Sequence, residues 1–315
     1  MVFHTVLESK IDGSVNFVAK GQFPGFIEAR YVRRCKDYFI IYLSSQTACS
    51  KACRMCHLTQ SGQTQAIDIP VETILEQADL VFEWYESQGS SATKVHLNFM
   101  ARGEPFASRI LLQEADALLS QLADRAITRS LIPCFKFSTI MPAEIDEIEL
   151  ARIFPHHKPD IYYSLYSMNP QFRKRWLPKA LPAEVALRKL KEYQDVTRKI
   201  PVLHWAFIAG ENDDEQTIHG IGEALNRIGL RVDFNIVRYN PYSCDHGYES
   251  SEEVIERNAR ILTHTVPGAR VRVVTRVGFD VKASCGMFVE SVNDEFVPRM
   301  NREAIALDTC QTGIR

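Results

Sequence analysis

The sequence predicts an α/β fold, an open (β/α)6 barrel preceded by a short β-hairpin extension. Three observations carry this. From residue 38 onward, short runs rich in β-branched and aromatic residues alternate with longer segments whose apolar residues recur at helical spacing, a pattern of βαβ units on a parallel sheet. Apolar residues make up 45% of the 315, enough for one sizeable core. No low-complexity tract, internal repeat or evident linker divides the chain.

The elements follow in order. Residues 15–18 read as a small strand between turns at Gly13 and Gly21. Residues 26–32 and 38–43 read as two strands of a hairpin, with the polar stretch 33–37 as its turn. In the next segment Val71, Ile74, Leu75, Ala78, Val81, Phe82 and Tyr85 recur at helical spacing. A strand at 94–100 and a helix at 108–123 follow, the helix with Leu111, Ala115, Leu118, Leu119 and Leu122 on one face. Strand 132–140 precedes helix 142–154, and strand 160–167 precedes helix 182–197, which Pro182 opens. Strand 201–209 leads to helix 214–228, closed by Gly229; strand 231–239 leads to helix 251–265, and 269–277 is the last strand. The expected divisions are a β extension over 1–37, the barrel over 38–290 and a tail over 291–315.

Composition narrows the function classes. A net charge of -2 rules out a global polycation, so contact with nucleic acid would need a local basic face. The candidates are Arg30/Arg33/Arg34/Lys36, Arg173/Lys174/Arg175 and Arg270/Arg272/Arg276, each of which also reads as an ordinary solvated face. No stretch of eighteen apolar residues suits a membrane span, and the first residues lack the basic-then-apolar order of a signal peptide. Eight cysteines, three of them clustered, point to a reducing cytoplasm and a metal site.

The cluster is Cys49, Cys53 and Cys56, a C-x3-C-x2-C spacing directly after the strand at 38–43. Random placement yields such a triplet with a probability of roughly 0.005. Three thiolates can hold one corner each of a [4Fe–4S] cube and leave the fourth iron open to a ligand. His57 follows directly, so a Cys3His zinc site is the alternative. In barrels, function gathers at the C-terminal strand ends. Those ends carry Gly103 and Glu104, Ser138 and Thr139, Ser164 to Tyr166, and the 238–242 stretch with Asn240. Taken singly, each also reads as a turn or a cap.

The triplet is similar to that of radical-SAM enzymes. The chain as a whole resembles the RlmN/Cfr family of radical-SAM RNA methyltransferases over roughly residues 26–290. The matching stretches are 44–46, the triplet, 99–105, 138–140, 163–165, 237–241 and 278–286. The resemblance implies a partial (β/α)6 TIM-like radical-SAM barrel with a [4Fe–4S] cluster on Cys49, Cys53 and Cys56. It implies S-adenosyl-L-methionine held by Gly103, Glu104, Ser138, Ser164, Leu165, Tyr166 and Asn240. It makes Cys285 the cysteine that carries a methyl group and Glu28 the proton acceptor, with methylation of carbon 2 or carbon 8 of adenine in rRNA or tRNA as the reaction. It further implies a flavodoxin or ferredoxin as electron donor and a cytoplasmic enzyme. No long exposed apolar stripe argues for a dimer, so a monomer is expected.

Four departures accompany the resemblance. Met55 replaces an aromatic residue, and Tyr166 stands where the family has His. Tyr42 occupies the position of the family's second cysteine, the thiol that releases the product by forming a disulfide. Cys35 is the nearest spare thiol; Cys134, Cys244 and Cys310 are others. The region before Glu28 is also shorter than the family's RNA-binding extension. The alternatives are therefore a radical-SAM enzyme with another product or substrate, and a zinc-bound barrel that binds RNA without catalysis.

Overall fold

The fold is described from a computed structural model, over residues 5–20 and 24–291. Ten strands form one sheet in sequence order: β1 (Thr5–Glu8), β2 (Val15–Ala19), β3 (Ile27–Val32), β4 (Tyr38–Tyr42), β5 (Lys94–Phe99), β6 (Ile132–Thr139), β7 (Asp160–Tyr163), β8 (Val202–Ala206), β9 (Asp233–Val237) and β10 (Val271–Val273). The first four pair antiparallel, as short hairpin connections require. From β4 to β10 every pairing is parallel, and β1 and β10 are the free edges of an open barrel.

The parallel strands are spaced by helices: α1 (His57–Gln60), α2 (Val71–Ser87), α3 (Arg109–Ile127), α4 (Leu150–Ile153), α5 (Pro170–Trp176), α6 (Ala183–Thr197), α7 (Glu215–Ile228) and α8 (Glu252–Thr265). Phe39 and Ile41 of β4 are buried, and Phe39 stacks on Tyr85 of α2 at 4.0 Å. The alternate residues of the strands face the lumen, which is polar. Tyr38 stacks on His96 at 4.3 Å, and Lys136 Nζ lies 3.0 Å from His96 Nδ1.

The (β/α)6 expectation holds, with local differences. β1 was not anticipated. The segment expected as one helix over 142–154 is a 3-10 turn (Ala143–Ile145) followed by the single turn α4. Its four acidic residues, Glu144, Asp146, Glu147 and Glu149, repel one another at helical spacing. Strand 160–167 ends early, at Tyr163, because the chain turns there and Tyr166 adopts a left-handed φ of 60°. After this turn Asn169 caps α5: its Oδ1 accepts from the backbone N–H groups of Gln171 (2.8 Å) and Phe172 (3.3 Å), with Pro170 at the first helical position.

The β1–β3 extension seats the segment after β10. Asp280 accepts from Ser9 Oγ and from the Lys10 backbone N–H, both at 2.7 Å, and the Gly278 N–H donates to Asp12 Oδ2 at 2.8 Å. Arg34 Nη1 donates to the Thr275 carbonyl (3.3 Å) and ties the β3–β4 turn to the far side of the barrel.

Candidate active site

The cysteine triplet leaves the mouth end of β4 through a turn whose shape is set by the chain end of β5. Ser45 N–H and Gln46 N–H both donate to the Arg102 carbonyl, at 2.9 and 3.3 Å. Gly103 lies against this turn with φ +95°; a Cβ there would come within 2.7 Å of both Gln46 Cβ and Ser45 Oγ. The glycine is therefore needed by the chain's own packing, rather than by a ligand approaching that face of its backbone.

Cys49, Cys53 and Cys56 are unbonded thiols packed deep in the mouth. Burial, reinforced by the field of Cys56, pushes the Cys49 thiol up to about 12. Burial likewise raises Cys53, with Cys49, Cys56 and Glu104 adding to the effect. Three thiols that resist ionisation together are stabilised as thiolates by a cationic metal centre. Lys51, buried between the first two, lowers both and pairs with Glu144. Sequence reasoning passed over this lysine, although its place inside the loop is a signal.

The zinc alternative fits less well. His57 Nε2 faces the Asn240 carbonyl at 3.1 Å, and among the described residues no three His, Cys, Asp or Glu side chains converge on one point. A cube holds thiolates at separate corners, whereas one zinc ion gathers four ligands tetrahedrally.

Glu104 caps its own turn. Its carboxylate accepts from the Phe106 N–H and the Ile140 N–H, each at 3.1 Å, and burial raises it to about 7. Asn240 Nδ2 donates to the Cys285 carbonyl (2.8 Å) and Ser284 Oγ (3.1 Å), while its Oδ1 is buried with no partner. That orphaned acceptor and the raised carboxylate suit a cationic amino group, so these residues fit S-adenosylmethionine. Ser138 and Ser164 lie half-buried at their strand ends, and the Ser164 N–H donates to the Thr139 carbonyl at 2.9 Å. Leu165 is fully buried and offers only backbone; its carbonyl accepts from Arg173 Nη1 (2.7 Å). Tyr166 is buried within the fields of both Cys285 and Cys53, which add to the effect of burial in raising its phenol. Asn212, not anticipated, holds this corner: its Nδ2 donates to the Tyr166 and Ala206 carbonyls, both at 3.1 Å.

Cys285 is brought to the triplet by backbone contacts. The His57 N–H donates to the Gly286 carbonyl at 3.0 Å, so the residue after Cys56 is hydrogen-bonded to the residue after Cys285. The thiol is open to the lumen yet surrounded by protein. Burial and the field of Cys56 raise it to about 11. Its sulfur lies 3.8 Å from His204 Nε2.

Glu28 occupies a closed cage on β3. Oε1 accepts from Arg102 Nε (2.7 Å) and the Val289 N–H (2.9 Å), and Oε2 accepts from Arg30 Nη2 (2.8 Å) and Asn16 Nδ2 (3.0 Å). Burial favours the neutral acid, but the two guanidiniums outweigh it and hold the carboxyl below its ordinary range. A carboxylate so bound has no free lone pair for a substrate proton, contrary to the expected role of proton acceptor. The same cage grips the Cys285 segment: Arg30 donates to the Ala283 and Met287 carbonyls, Asn16 to Val281 and Arg102 to Val289.

The basic clusters are corrected too. Arg30 belongs to that cage, and Arg173 is buried against the Leu165 and Leu181 carbonyls. Arg175 pairs with Glu211, Arg270 with Asp233 and Arg276 with Glu249, so these cations are already partnered. Cys35 lies in the β3–β4 turn and Cys134 near the start of β6, both toward the end of the barrel opposite Cys285. Cys244 lies in the loop after β9, on the mouth side, and Cys310 is outside the described residues.

No family model matches the chain. Among curated proteins it is similar to the probable dual-specificity RNA methyltransferase RlmN of Prochlorococcus marinus strain MIT 9303, 27% identical over 252 residues, which cover 78% of this chain and 66% of that protein. The dual-specificity RNA methyltransferase RlmN of Ruthia magnifica is 24% identical over 290 residues, 90% of this chain and 77% of that one. The chain thus spans about two thirds of the length of the first of these relatives. Among solved structures, a radical SAM methyltransferase from Sphaerobacter thermophilus superposes with a TM-score of 0.77 at 19% identity, covering 92% of this chain and 81% of that one. The hydrogenase maturase HydG superposes with a TM-score of 0.54 at 13% identity, over 85% of this chain and 54% of that one. In fold the chain is a radical-SAM-type partial barrel, and the curated relatives it resembles are RlmN RNA methyltransferases.

Proposed function

We propose that this chain is a radical-SAM methyltransferase that uses Cys285 as a methyl carrier and acts on an sp2 carbon, carbon 2 or 8, of adenine in RNA. The observation that carries the reading is the tie between the triplet loop and the Cys285 loop: His57 N–H to the Gly286 carbonyl and Asn240 Nδ2 to the Cys285 carbonyl. Those bonds tie the segment that carries the extra thiol to the triplet loop, and the Cys285 thiol lies within the field of Cys56.

Cys49, Cys53 and Cys56 would hold a [4Fe–4S] cluster, and Glu104, Asn240 and the backbone around Gly103, Ser138 and Ser164 would hold S-adenosylmethionine. When bound, these groups supply a methyl group and one-electron chemistry at the mouth. Cys285 takes the methyl as a nucleophile and presents it to the ring. Tyr166 is buried beside this space, its phenol within the fields of both Cys285 and Cys53. A flavodoxin or ferredoxin is the proposed electron source. Among the described residues no helix is long and apolar enough to cross a membrane.

The test is peptide mass spectrometry of Cys285 in protein purified without oxygen and incubated with S-adenosylmethionine and a reductant. A methyl or methylene mark on Cys285 supports the reading, and Cys285→Ala should then abolish transfer to RNA. A second reading, a radical-SAM enzyme with a different product, is favoured by Tyr42, which lies within the field of Cys285 and stands at the position where the family has its release thiol. Formation of 5′-deoxyadenosine with Cys285 unmarked would select it.

A further inference from the structure

We propose that His204 is the catalytic partner of Cys285: it accepts the hydrogen bond of the thiol and takes its proton as the sulfur is alkylated. The inference deepens the methyl-carrier reading and rests on it for the identity of the alkyl donor.

His204 stands in the middle of β8, between Leu203 and Trp205, which are fully buried on the opposite face. Strand alternation therefore turns its ring into the lumen. Nε2 lies 3.8 Å from Cys285 Sγ, within hydrogen-bond range for sulfur, and Nδ1 is buried with no partner. Such a ring makes no structural hydrogen bonds with the protein apart from the one to the thiol, which a merely structural histidine would not need. The groups facing it are few. Arg34 reaches it from the β3–β4 turn, and Tyr162 of β7 packs edge-on at 6.1 Å. Burial and the Arg34 charge lower His204 to about 4, so the ring is neutral and free to accept.

The need for a partner follows from the thiol. With its ionisation pushed up to about 11, Cys285 holds little thiolate at neutral pH, and the thiol itself is a poor nucleophile. In the step, the sulfur lone pair forms a bond to the methyl carbon of a sulfonium donor. The broken carbon–sulfur bond leaves its electron pair on the donor, which departs as a neutral thioether. The Sγ proton passes to His204 Nε2. Tyr162 and Asn235, the cross-strand neighbour of His204, also line a cavity of about 300 Å³ on this side of β8.

The experiment compares wild type with His204→Gln and His204→Asn, each loaded with its cluster and checked by iron and sulfide content. Cys285 alkylation by iodoacetamide is followed by peptide mass spectrometry, with Cys35 as internal control. Both variants keep an amide acceptor and lose the base. Cys285 labelling should slow on the order of 10²-fold in each, the usual worth of a positioned base. Cys35 should label as in wild type, and in a third variant, His204→Ala, which leaves space for a free base, added imidazole should restore part of the loss at Cys285. Unchanged Cys285 labelling in a cluster-loaded variant overturns the proposal. A wild-type Cys285 that never gains a methyl from S-adenosylmethionine would overturn the methyl-carrier reading instead, and the iodoacetamide rates would still decide the role of His204.

Discussion

Glu28 Oε1 lies 2.7 Å from Arg102 Nε, and neither side chain reaches solvent. With Arg30 and Asn16, this pair forms the floor on which the Cys285 segment rests, since their remaining donors bind the carbonyls of Val281, Ala283, Met287 and Val289. Removing the carboxylate leaves two buried guanidiniums uncompensated. Glu28→Gln should lose about 3–5 kcal/mol of stability. Chemical denaturation measures this, and a Cys285 that labels faster in the folded variant would show the floor has loosened. Wild-type stability in Glu28→Gln would mean the cage carries no load.

The same pair sets a response to acid. The folded Glu28 carboxyl is held below its ordinary value of 4.5, so the unfolded chain binds this proton first as pH falls. The stability from Glu28 is complete above that value and is lost as pH drops through the folded-state value. The denaturation midpoint should fall on acidification below pH about 4.5, and Glu28→Gln should flatten that part of the curve. Parallel curves would show that other carboxylates dominate.

Gly103 is held at φ +95° with Ser45 and Gln46 packed where a side chain would start. Gly103→Ala should destabilise the fold by about 1–3 kcal/mol through backbone strain, plus the cost of displacing the Ser45–Gln46 turn. Because that turn leads into Cys49, iron content after reconstitution should fall as well. A variant with wild-type melting temperature and iron would show that the turn can yield.

How much of this was open to sequence reasoning depends on sequence distance. The barrel was legible because β4 to β10 and their helices carry local periodicity, and the triplet because its spacing is short. The Glu28 cage was not, since Asn16, Glu28, Arg102 and Val289 lie far apart along the chain. Arg30 read as part of a basic face because nothing local shows that it is buried. His204 sits in an apolar strand whose alternation implies an inward ring. That Cys285 would meet it depends on how residues 278–289 fold back over the extension.

Each triplet cysteine should be needed for iron, and His57 should not. Cys49→Ala, Cys53→Ala and Cys56→Ala should each lose most of the roughly four irons and four sulfides expected of a cube. His57→Gln should retain them, because His57 Nε2 is engaged by the Asn240 carbonyl. Stoichiometric zinc without sulfide in wild-type protein, lost on substituting His57, would restore the Cys3His reading.

Tyr42 offers the sharpest test of the product-release question. Its phenol is buried in the lumen, hydrogen-bonded to Arg34 and within the field of the Cys285 thiol. A phenol cannot form a disulfide, so a thioether between Cys285 and its product has no partner thiol at this position. Wild type relying on this position alone should complete about one turnover and then stall with product attached to Cys285. Tyr42→Cys places a thiol there and should convert that burst to repeated turnover, with a disulfide between positions 42 and 285 found by peptide mapping after each release. Repeated turnover by wild type, with no adduct on Cys285, would show that release proceeds by another group and that the exchange of cysteine for tyrosine came with a change of chemistry.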